Sequence, residues 1–292
     1  MTDRYAVFGN PISHSKSPLI HTQFACQTGQ DISYEAILAP LNGFRDTVLA
    51  FREEDGRGIN VTVPFKFEAF QLATQLTARA QAAQAVNTLK FDGTVIIGDN
   101  TDGTGLVADI ERNLDFILRG KRVLLMGAGG AAYGVALPLL NAGAIITVAN
   151  RTEDKAHQLA IVFAAHGPIQ GSSYSALAGL QFDCVINATS SSLSDSLPPL
   201  PRGDCAMPRS SSNTPISNGK NANNMGIFAP NALAYDMMYG KETPFLMFAK
   251  EQGAAHLADG IGMLVEQAAE SFFLWRNVRP DTAPVIAKLR LI

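Results

Sequence analysis

The stretch KRVLLMGAGGAAYGVALPLLNAG, residues 121–143, decides the fold of this chain. An apolar strand pattern runs directly into a glycine-rich turn, and apolar residues at helical spacing follow. Gly127 permits a sharp bend, Gly129 lets the backbone approach a pyrophosphate, and the small Ala132 allows close packing of helix on sheet. The free N–H groups of the helix N-terminus attract phosphate. A packing turn is the alternative interpretation, but the flanking strands lie where a dinucleotide fingerprint requires them.

The end of the next strand, at residues 145–151, indicates which dinucleotide binds. A site for NAD usually has an acidic residue there for the ribose hydroxyls, whereas this chain has Asn150 and then a cation. Arg151 and Lys155 can neutralise a 2′-phosphate and Thr152 can hydrogen-bond to it, which favours NADP over NAD. The alternative is an ordinary helix start with Thr152 as N-cap, followed by two acidic residues that weaken the cationic argument. The predicted cofactor-binding residues are Gly127, Ala128, Gly129, Gly130, Ala131, Asn150, Arg151, Thr152 and Lys155.

Strands and helices alternate through the first hundred residues. Strand patterns occupy residues 4–9, 32–39 and 57–63, and helical patterns at residues 17–29 and 42–54 separate them. Such an alternation predicts a mostly parallel sheet covered by helices on both faces. The chain is therefore predicted to be a two-domain α/β protein, in which an N-terminal α/β domain precedes a Rossmann-type, doubly wound dinucleotide domain.

Finer signals predict where some of these elements begin and end. Ser17 is expected to cap the helix at 17–29, with a proline at its first position and a glycine after its last. Residues 67–77 have a helical pattern, and the pair Asp92-Gly93 predicts a hairpin between two strands. These signals predict local structure and carry no functional assignment.

The two predicted domains meet near residue 103, where the alternation of strand and helix restarts. Residues 202–226 differ sharply from the rest, because they are rich in Ser, Asn, Gly and Pro and almost free of large apolar side chains. This composition predicts a flexible insertion, with a functional lid as the less favoured alternative.

Composition restricts the classes of partner. Of the 292 residues, 47% are hydrophobic and 17% charged, so the chain can bury a sizeable core. A net charge of −3 predicts no nucleic acid and no membrane surface as a partner, and no apolar run is long enough to predict a membrane span. The three cysteines, Cys26, Cys184 and Cys205, are widely spaced and predict reduced thiols in a cytoplasmic protein. No metal site is predicted.

Polar side chains cluster where predicted strands end. They occur in residues 13–17 after the first strand, in residues 62–66 after the third, at Asn87, and in residues 99–102 at the domain junction. In open α/β sheets, ligands lie beyond the carboxyl ends of the strands. Hydroxyls, an amide, an ammonium group and a carboxylate suit a small polyhydroxylated acid as substrate.

Nine ordered motifs give the sequence a specific resemblance to the shikimate dehydrogenases. They are VFGNPISHSKSPLIH (7–21), NVTVPFK (60–66), AVNTL (85–89), GDNTDGTG (98–105), GAGGAA (127–132), NRT (150–152), INATS (186–190), YDMMY (235–239) and DGIGMLVEQAA (259–269). The resemblance extends along the whole chain except the insertion. It implies reversible reduction of 3-dehydroshikimate to shikimate with NADPH, a step in aromatic amino acid biosynthesis.

The resemblance assigns residues to the substrate. Ser15 and Ser17 would hold its carboxylate, although Ser17 also suits helix capping. The residues implied to bind the ring hydroxyls are Thr62, Asn87, Asp102 and Gln267, with Tyr235 as a further candidate that a buried strand position equally explains. Because Gln267 lies in a C-terminal helix, that helix should return to the first domain. The substrate domain is thus expected to comprise residues 1–102 plus 260–292, and the NADP domain residues 103–259.

Lys66 and Asp102 are implied to be the catalytic pair. Hydride addition to a ketone develops negative charge on oxygen, which a positioned cation stabilises and can protonate. Asp102 would bind a substrate hydroxyl and orient the ammonium group of Lys66. One departure from the family pattern is Tyr133, where many relatives have a basic residue, so a phosphate contact from that position is lost.

Two other functions are compatible with the sequence. One is an enzyme acting on quinate as well as shikimate, with NAD. The other is a non-catalytic sensor that binds a pathway metabolite in the same pocket, although Lys66 and Asp102 together favour catalysis. In each case the expected partner is a small-molecule substrate, and the expected state is a monomer or homodimer.

Overall fold

The computed structural model describes residues 2–189, 196–203 and 226–291. The chain forms two compact units. The first comprises Met1–Phe116, Tyr133–Leu139 and Ile261–Ile292, and the second Ile117–Ala132 and Leu140–Gly260. Both units are α/β, as predicted. The predicted insertion at 202–226 lies almost wholly outside the described residues.

The first unit is built on a mixed six-stranded sheet in the order β2-β1-β3-β5-β6-β4. Its strands are β1 (Asp3–Gly9), β2 (Ile32–Leu38), β3 (Gly56–Val61), β4 (Gln75–Leu76), β5 (Thr88–Asp92) and β6 (Val95–Asp99). β1 pairs in parallel with β2 and β3, so these three strands end at the same edge of the sheet. β5 runs antiparallel to β3 and to β6, and it forms with β6 the hairpin predicted at Asp92-Gly93.

Five helices accompany these strands within residues 2–116. They are α1 (Ser17–Thr28), α2 (Phe44–Glu53), α3 (Lys66–Leu72), α4 (Ala78–Ala83) and α5 (Asp102–Ala108), and α5 continues as one π-helical turn over Asp109–Asn113. α1 ends as predicted, because Gly29 takes the left-handed conformation after its last turn. Its start differs from the prediction, since Lys16 occupies the N-cap and Ser17 is the first helical residue.

The helical pattern predicted for 67–77 is wrong in its second half. α3 ends at Leu72, Ala73 is extended, and Gln75 and Leu76 form β4. The cause is tertiary, because Gln75 and Leu76 pair in parallel with β6 and extend the sheet by one strand.

The second unit is a six-stranded sheet in the order β12-β11-β10-β7-β8-β9. Its strands are β7 (Arg122–Met126), β8 (Ile145–Ala149), β9 (Ile169–Ser172), β10 (Phe182–Asn187), β11 (Phe228–Asp236) and β12 (His256–Ala258). Its helices include α7 (Glu153–Phe163) and α8 (Pro244–Glu251). α6 (Gly130–Asn141) follows β7 and begins in this unit, but its residues Tyr133–Leu139 group with the first unit. Among the residues that the structure describes, every strand pairing in this sheet is parallel. The order reverses between β7 and β10, which is the doubly wound arrangement that binds ligands at the reversal point.

The chain then returns to the first unit through α9 (Ile261–Arg276) and α10 (Ala283–Leu289). Alternate residues of β3 face opposite sides of the sheet. Ile59 and Val61 point into an apolar core shared with α2 and α3, whereas Asn60 points to α9. A second core of α1, α9 and α10 includes Phe24 and Phe272. The C-terminal helix therefore packs on the first unit, as the resemblance implied.

Contacts place the division between units differently from the predicted boundary near residue 103. α5 packs along α9, and residues 103–116 group with the first unit. The predicted division into a substrate domain and a nucleotide domain at residue 103 stays a prediction.

Candidate active site and nucleotide cleft

Lys66 is the first residue of α3 and lies just beyond the end of β3. Its side chain is 33% exposed, and its Nζ donates to Oδ2 of Asp102 at 2.6 Å. The preceding Phe65 is fully buried in the core behind the sheet, which fixes where α3 begins. Lys66 is thus a cation held against a carboxylate at the end of a buried strand, not a freely solvated surface charge.

Asp102 is the first residue of α5, after the turn that follows β6. Its side chain is 17% exposed, and its two oxygens have different partners. Oδ2 accepts from Lys66, and Oδ1 accepts from Nδ2 of Asn87 at 2.8 Å. The carboxylate is therefore fixed in orientation between an ammonium group and an amide.

A buried ion pair holds the turn before Asp102. Asp99 is 1% exposed and accepts from Arg79 at 2.7 and 2.5 Å and from the Thr77 hydroxyl at 2.6 Å. Arg79 also donates to Glu270 of α9 at 3.0 Å. Burial lowers the pKa of Arg79, but its hydrogen bonds and charge interactions with Asp99 and Glu270 outweigh this and raise the pKa above its ordinary value. This ionic anchor ties the turn, α4 and α9 together.

Asn87 precedes β5 and is 3% exposed. Besides Asp102, its Nδ2 donates to Thr101 at 2.9 Å and to Oε1 of Gln267 at 3.3 Å. Its Oδ1 accepts from the Thr88 hydroxyl and from the Thr101 N–H, both at 2.9 Å. Every hydrogen-bonding position of this amide is used, so its orientation is determined by its neighbours.

Gln267 comes from α9 and reaches this group because α9 lies close against α5. A Cβ at Gly105 of α5 would lie 2.5 Å from the Gln267 backbone nitrogen, so only glycine permits this approach. The structure thus brings together Lys66, Asn87, Asp102 and Gln267, although they are far apart in the sequence.

The predicted residues Ser15, Ser17 and Thr62 follow β1 and β3 in the chain. Ser15 Oγ accepts from the Ser17 N–H at 3.3 Å, while the N-cap residue Lys16 makes no side-chain capping hydrogen bond. Thr62 directly follows β3, and its N–H donates to the carbonyl of Phe8 in β1. Thr62 therefore lies where β1 and β3 end, and Ser15 and Ser17 lie at the start of α1.

A buried polar cluster supports this site, and sequence reasoning missed its members. Asn60 Oδ1 accepts from the Tyr34 hydroxyl at 2.7 Å and contacts His21 Nε2 at 3.1 Å. Asn60 Nδ2 lies 3.1 Å from Thr88 Oγ1 and 3.0 Å from Ser271 Oγ. The sequence offered one signal for this cluster, the polar Asn60 within the apolar strand residues GINV. Asn60 was used only as part of a family motif, and no hydrogen-bonding role was predicted for it.

His21 is fully buried in this cluster and stacks on Tyr34 with ring centroids 4.2 Å apart. Burial lowers its pKa to about 3, against a smaller opposing effect of the hydrogen bond with Asn60. Its Nδ1 has no hydrogen-bond partner within the described residues. His21 is therefore neutral, with its proton on the nitrogen that donates to Asn60.

The second unit contains a cleft of about 520 Å³ at the carboxyl edge of its sheet. Gly127 opens it with φ of 104°, a conformation that favours glycine. All nine predicted cofactor-binding residues line the cleft. It is also lined by four residues that sequence reasoning missed, Ala188, Thr189, Met237 and Met238.

The cations predicted to select the dinucleotide are exposed at this cleft. Neither Arg151 nor Lys155 forms an ion pair with any residue that the structure describes. Of the two acids that weakened the prediction, Glu153 lies 3.3 Å from His157 on its own helix. Thr152 is the N-cap of α7, yet its hydroxyl makes no capping hydrogen bond. These side chains are available to an anion.

Tyr235 belongs to the second unit and is fully buried in β11. The next residue, Asp236, accepts from the Thr243 hydroxyl at 2.6 Å and from Asn187 at 3.1 Å. These bonds fix the end of β11 just before Met237 and Met238. The predicted contact of Tyr235 with substrate stays a prediction.

Among the described residues, no helix combines the length and apolar character needed to cross a membrane. Nor do three or more His, Cys, Asp or Glu side chains there form a group suited to a metal ion.

Comparison with protein families gives three matches along the chain. Residues 7–89 match the shikimate dehydrogenase substrate binding domain, residues 110–194 match shikimate/quinate 5-dehydrogenase, and residues 260–290 match the shikimate 5′-dehydrogenase C-terminal domain.

Individual proteins are similar over nearly their whole length. The shikimate dehydrogenase (NADP(+)) of Nitrosospira multiformis is 58% identical over 292 residues, covering 99% of this chain and 98% of the relative. An Ael1 enzyme from Pseudomonas putida has a TM-score of 0.87 at 50% identity, covering 99% and 98% of the two chains. Shikimate 5-dehydrogenase from Thermus thermophilus, solved in complex with NADP(H) and shikimate, has a TM-score of 0.80 at 29% identity and covers 99% of both.

Proposed function

The chain belongs to the shikimate dehydrogenase family, and from this premise we propose that it reversibly reduces 3-dehydroshikimate to shikimate with NADPH. The observation that carries the catalytic part of the proposal is the contact of Lys66 with Asp102, whose other oxygen is held by Asn87. This contact places a proton-bearing cation where an α/β sheet positions its ligands.

Lys66 is proposed to act as general acid in the reduction and as general base in the reverse reaction. Reduction of a ketone leaves negative charge on its oxygen, and an ammonium group beside that oxygen both stabilises the charge and supplies the proton. Asp102 has the complementary task of orienting the Lys66 ammonium group. Asn87 donates to Oδ1 of Asp102 and so fixes the carboxylate, while Oδ2 accepts from Lys66 and orients its ammonium group.

The remaining polar side chains at this edge are proposed to bind the substrate. Ser15 and Ser17, at the N-terminus of α1, suit the carboxylate, because hydroxyls and free N–H groups there favour an anion. The residues proposed for the ring hydroxyls are Thr62, Asn87, Asp102 and Gln267, with Tyr235 as a further contact.

The cleft of the second unit fits NADP. The space beside its glycine turn is open, because a Cβ at Gly129 or Gly130 would meet no atom within 4 Å. A pyrophosphate can therefore approach the backbone N–H groups of the turn. Asn150, Arg151, Thr152 and Lys155 border the same cleft and are proposed to bind the adenosine ribose and its 2′-phosphate. These residues would hold NADPH, which would supply the hydride for the reduction.

The functional domains follow from these assignments. Residues 1–102 with 260–292 are proposed to bind the substrate, and residues 103–259 to bind the nucleotide. The enzyme is proposed to act in the cytoplasm, as a monomer or homodimer, on a small-molecule substrate.

The direct test is the oxidation of NADPH by the purified protein on addition of 3-dehydroshikimate. Parallel assays measure kcat/KM with NADPH and NADH, and in reverse with shikimate and quinate. We expect NADPH to be preferred by about 100-fold, because each charged hydrogen bond to the 2′-phosphate contributes roughly 1.5–3 kcal/mol. Comparable values for quinate or NADH would establish the quinate type of enzyme, and binding of shikimate without turnover would establish a sensor.

A further inference from the structure

Asp236 is the last residue of β11, is fully buried, and lies beside Asn187, the last residue of β10. Directly after these paired residues, the Met237 N–H donates to the Asn187 carbonyl at 3.1 Å. Both segments then leave the sheet, and they contribute four residues to the lining of the nucleotide cleft, namely Ala188, Thr189, Met237 and Met238. The side chains that hold these two segments therefore bear on the shape of the cleft.

The Asp236 carboxylate accepts hydrogen bonds at both of its oxygens. Oδ1 accepts from the Met238 N–H at 3.0 Å, in the segment that follows β11. Oδ2 accepts from Nδ2 of Asn187 at 3.1 Å and from the hydroxyl of Thr243, the N-cap of α8, at 2.6 Å. One buried side chain thus joins the segment after β11 to the end of β10 and to the start of α8.

The Asn187 amide extends this connection into the segment after β10. Its Oδ1 accepts from the Thr189 N–H at 3.1 Å and from the Thr189 hydroxyl at 2.7 Å. Because a backbone N–H can only donate, Oδ1 must face Thr189, and the Nδ2 hydrogens therefore face Asp236. Thr189 in turn lies against the glycine turn, since a Cβ at Gly127 would be 3.2 Å from Thr189 Cγ2.

We propose that Asp236 is a positioning residue of the nucleotide cleft, which holds segments 188–189 and 237–238 in place through its bonds to Asn187 and Met238. This inference rests on the proposed function, because the cleft is a site for NADPH only there. Donors whose directions the backbone fixes approach both carboxylate oxygens, so an asparagine at position 236 satisfies them in neither amide orientation. Asp236 is not among the residues that line the described cleft, and it acts through the segments that do.

The test exchanges the two side chains. Asp236→Asn should raise the Kd for NADPH by about 5- to 10-fold, the equivalent of one hydrogen bond, and change KM for shikimate little. Asn187→Asp places a second carboxylate oxygen beside Oδ2 of Asp236 and should also weaken NADPH binding. Titration of NADPH fluorescence measures the Kd.

The double variant, Asn187→Asp with Asp236→Asn, restores a donor and an acceptor at each contact. The new carboxylate at position 187 accepts from Thr189 and from the new amide, whose oxygen accepts from the Met238 N–H. The Kd for NADPH should therefore return to within about twofold of the wild-type value, although each single substitution weakens binding. A role that depended only on the size or burial of the two side chains would give no such rescue.

Asp183→Asn is the matched control, because Asp183 also accepts from a backbone N–H, that of Arg122, but near the start of β10 and outside the cleft lining. It should leave the Kd for NADPH unchanged. If Asp236→Asn fails to fold, the double variant decides. A double variant that binds NADPH no better than the single variants, or a wild-type Kd in Asp236→Asn, would overturn the inference.

Hydrogen exchange tests the positioning without nucleotide. Carbonyl 13C in alanine with 15N in threonine selects two amides, because the sequence has two Ala-Thr pairs, at 73–74 and 188–189. Thr74 is the internal reference, since its N–H donates to the Ile96 carbonyl in the first unit. The same double label in methionine selects Met238, because residues 237–238 are the single Met-Met pair of the sequence.

In Asp236→Asn, the N–H of Thr189, of Met238 or of both should exchange about 5- to 10-fold faster, and both should recover in the double variant. Exchange at Thr74 should not change. Wild-type exchange rates at both Thr189 and Met238 in Asp236→Asn refute the inference even if the enzyme is active. Wild-type protein that fails to reduce 3-dehydroshikimate refutes the proposed function, while the exchange result still decides the role of Asp236.

Discussion

The two candidate binding regions of this molecule are built by opposite means. In the first unit, Lys66, Asn87, Asp102 and Gln267 come from four separate segments and are joined by partly buried hydrogen bonds. In the second unit, the cleft is formed by one continuous glycine turn and by exposed cations at the end of the next strand. One region depends on side-chain networks, and the other on backbone and on charges facing solvent.

This difference predicts different responses to substitution. In a buried network, each polar group depends on its neighbours, so removing one leaves others unsatisfied and the effects are not additive. Exposed cations act through screened electrostatic attraction, so their effects are smaller, closer to additive and sensitive to salt. Three experiments test the contrast, beginning with the largest expected effect.

Lys66→Ala should lower kcat by about 1000-fold with little change in substrate KM, because general acid catalysis contributes roughly 100- to 10,000-fold. Lys66→Arg separates charge from proton transfer, since it keeps the cation but cannot release its proton near neutral pH. Steady-state kinetics in both directions measure the two effects. Lys288→Ala is the control, an exposed lysine of α10 that should leave kcat unchanged. A near-normal kcat in Lys66→Ala would contradict the assigned role.

Lys66 also shows how far the sequence predicts such a site. The motif NVTVPFK and the chemistry of ketone reduction singled out the residue, and the structure places it against the predicted partner, Asp102. The glycine turn was equally accessible, because strand, turn and helix are local in sequence and all nine predicted residues line one cleft. Local order and short motifs thus predicted the fold class and the residues of the glycine turn that line the cleft.

The supporting cluster was not predictable in the same way. Asn60, Thr88 and Ser271 meet only after β3, β5 and α9 have packed, and a buried serine has no sequence pattern that distinguishes it from an exposed one. β4 was missed for a similar reason, since Gln75 and Leu76 became a strand through pairing with β6, against a local helical pattern. Tertiary contacts determined these features, and a single sequence does not encode them as a local signal.

The second experiment addresses the exposed cations. Arg151→Ala combined with Lys155→Ala should raise KM for NADPH by about 100-fold, since each charged hydrogen bond contributes roughly 1.5–3 kcal/mol, and should leave KM for NADH nearly unchanged. Raising the salt concentration should raise the wild-type KM for NADPH and have little effect on the double variant.

Lys250→Ala, an exposed lysine of α8 outside the residues lining the cleft, is the control and should change neither KM. An equal rise in KM for NADPH and for NADH would show that the two cations do not bind the 2′-phosphate. Strong non-additivity of the single variants would remove the contrast with the buried network.

The smallest effect concerns stability of the buried cluster toward acid. The folded pKa of His21 is about 3, below its value of about 6.5 in an unfolded chain. Above pH 6.5 both states are neutral at this residue, and the stability is fully present. As pH falls toward 3, only the unfolded state takes up the proton, so acidification favours unfolding by about 1.4 kcal/mol per pH unit.

Between pH 7.5 and pH 5, His21 should therefore account for about 2 kcal/mol of lost unfolding free energy. His21→Gln keeps an amide donor toward Asn60 but cannot titrate, so its loss over this range should be smaller by that amount. Urea unfolding followed by fluorescence of Trp275, the single tryptophan of the chain, reports on this region because its ring lies 5.3 Å from that of His21. His14→Gln, at an exposed position, should retain the wild-type pH dependence. If His21→Gln also retains it, protonation of His21 in the unfolded chain does not account for the loss of stability in acid.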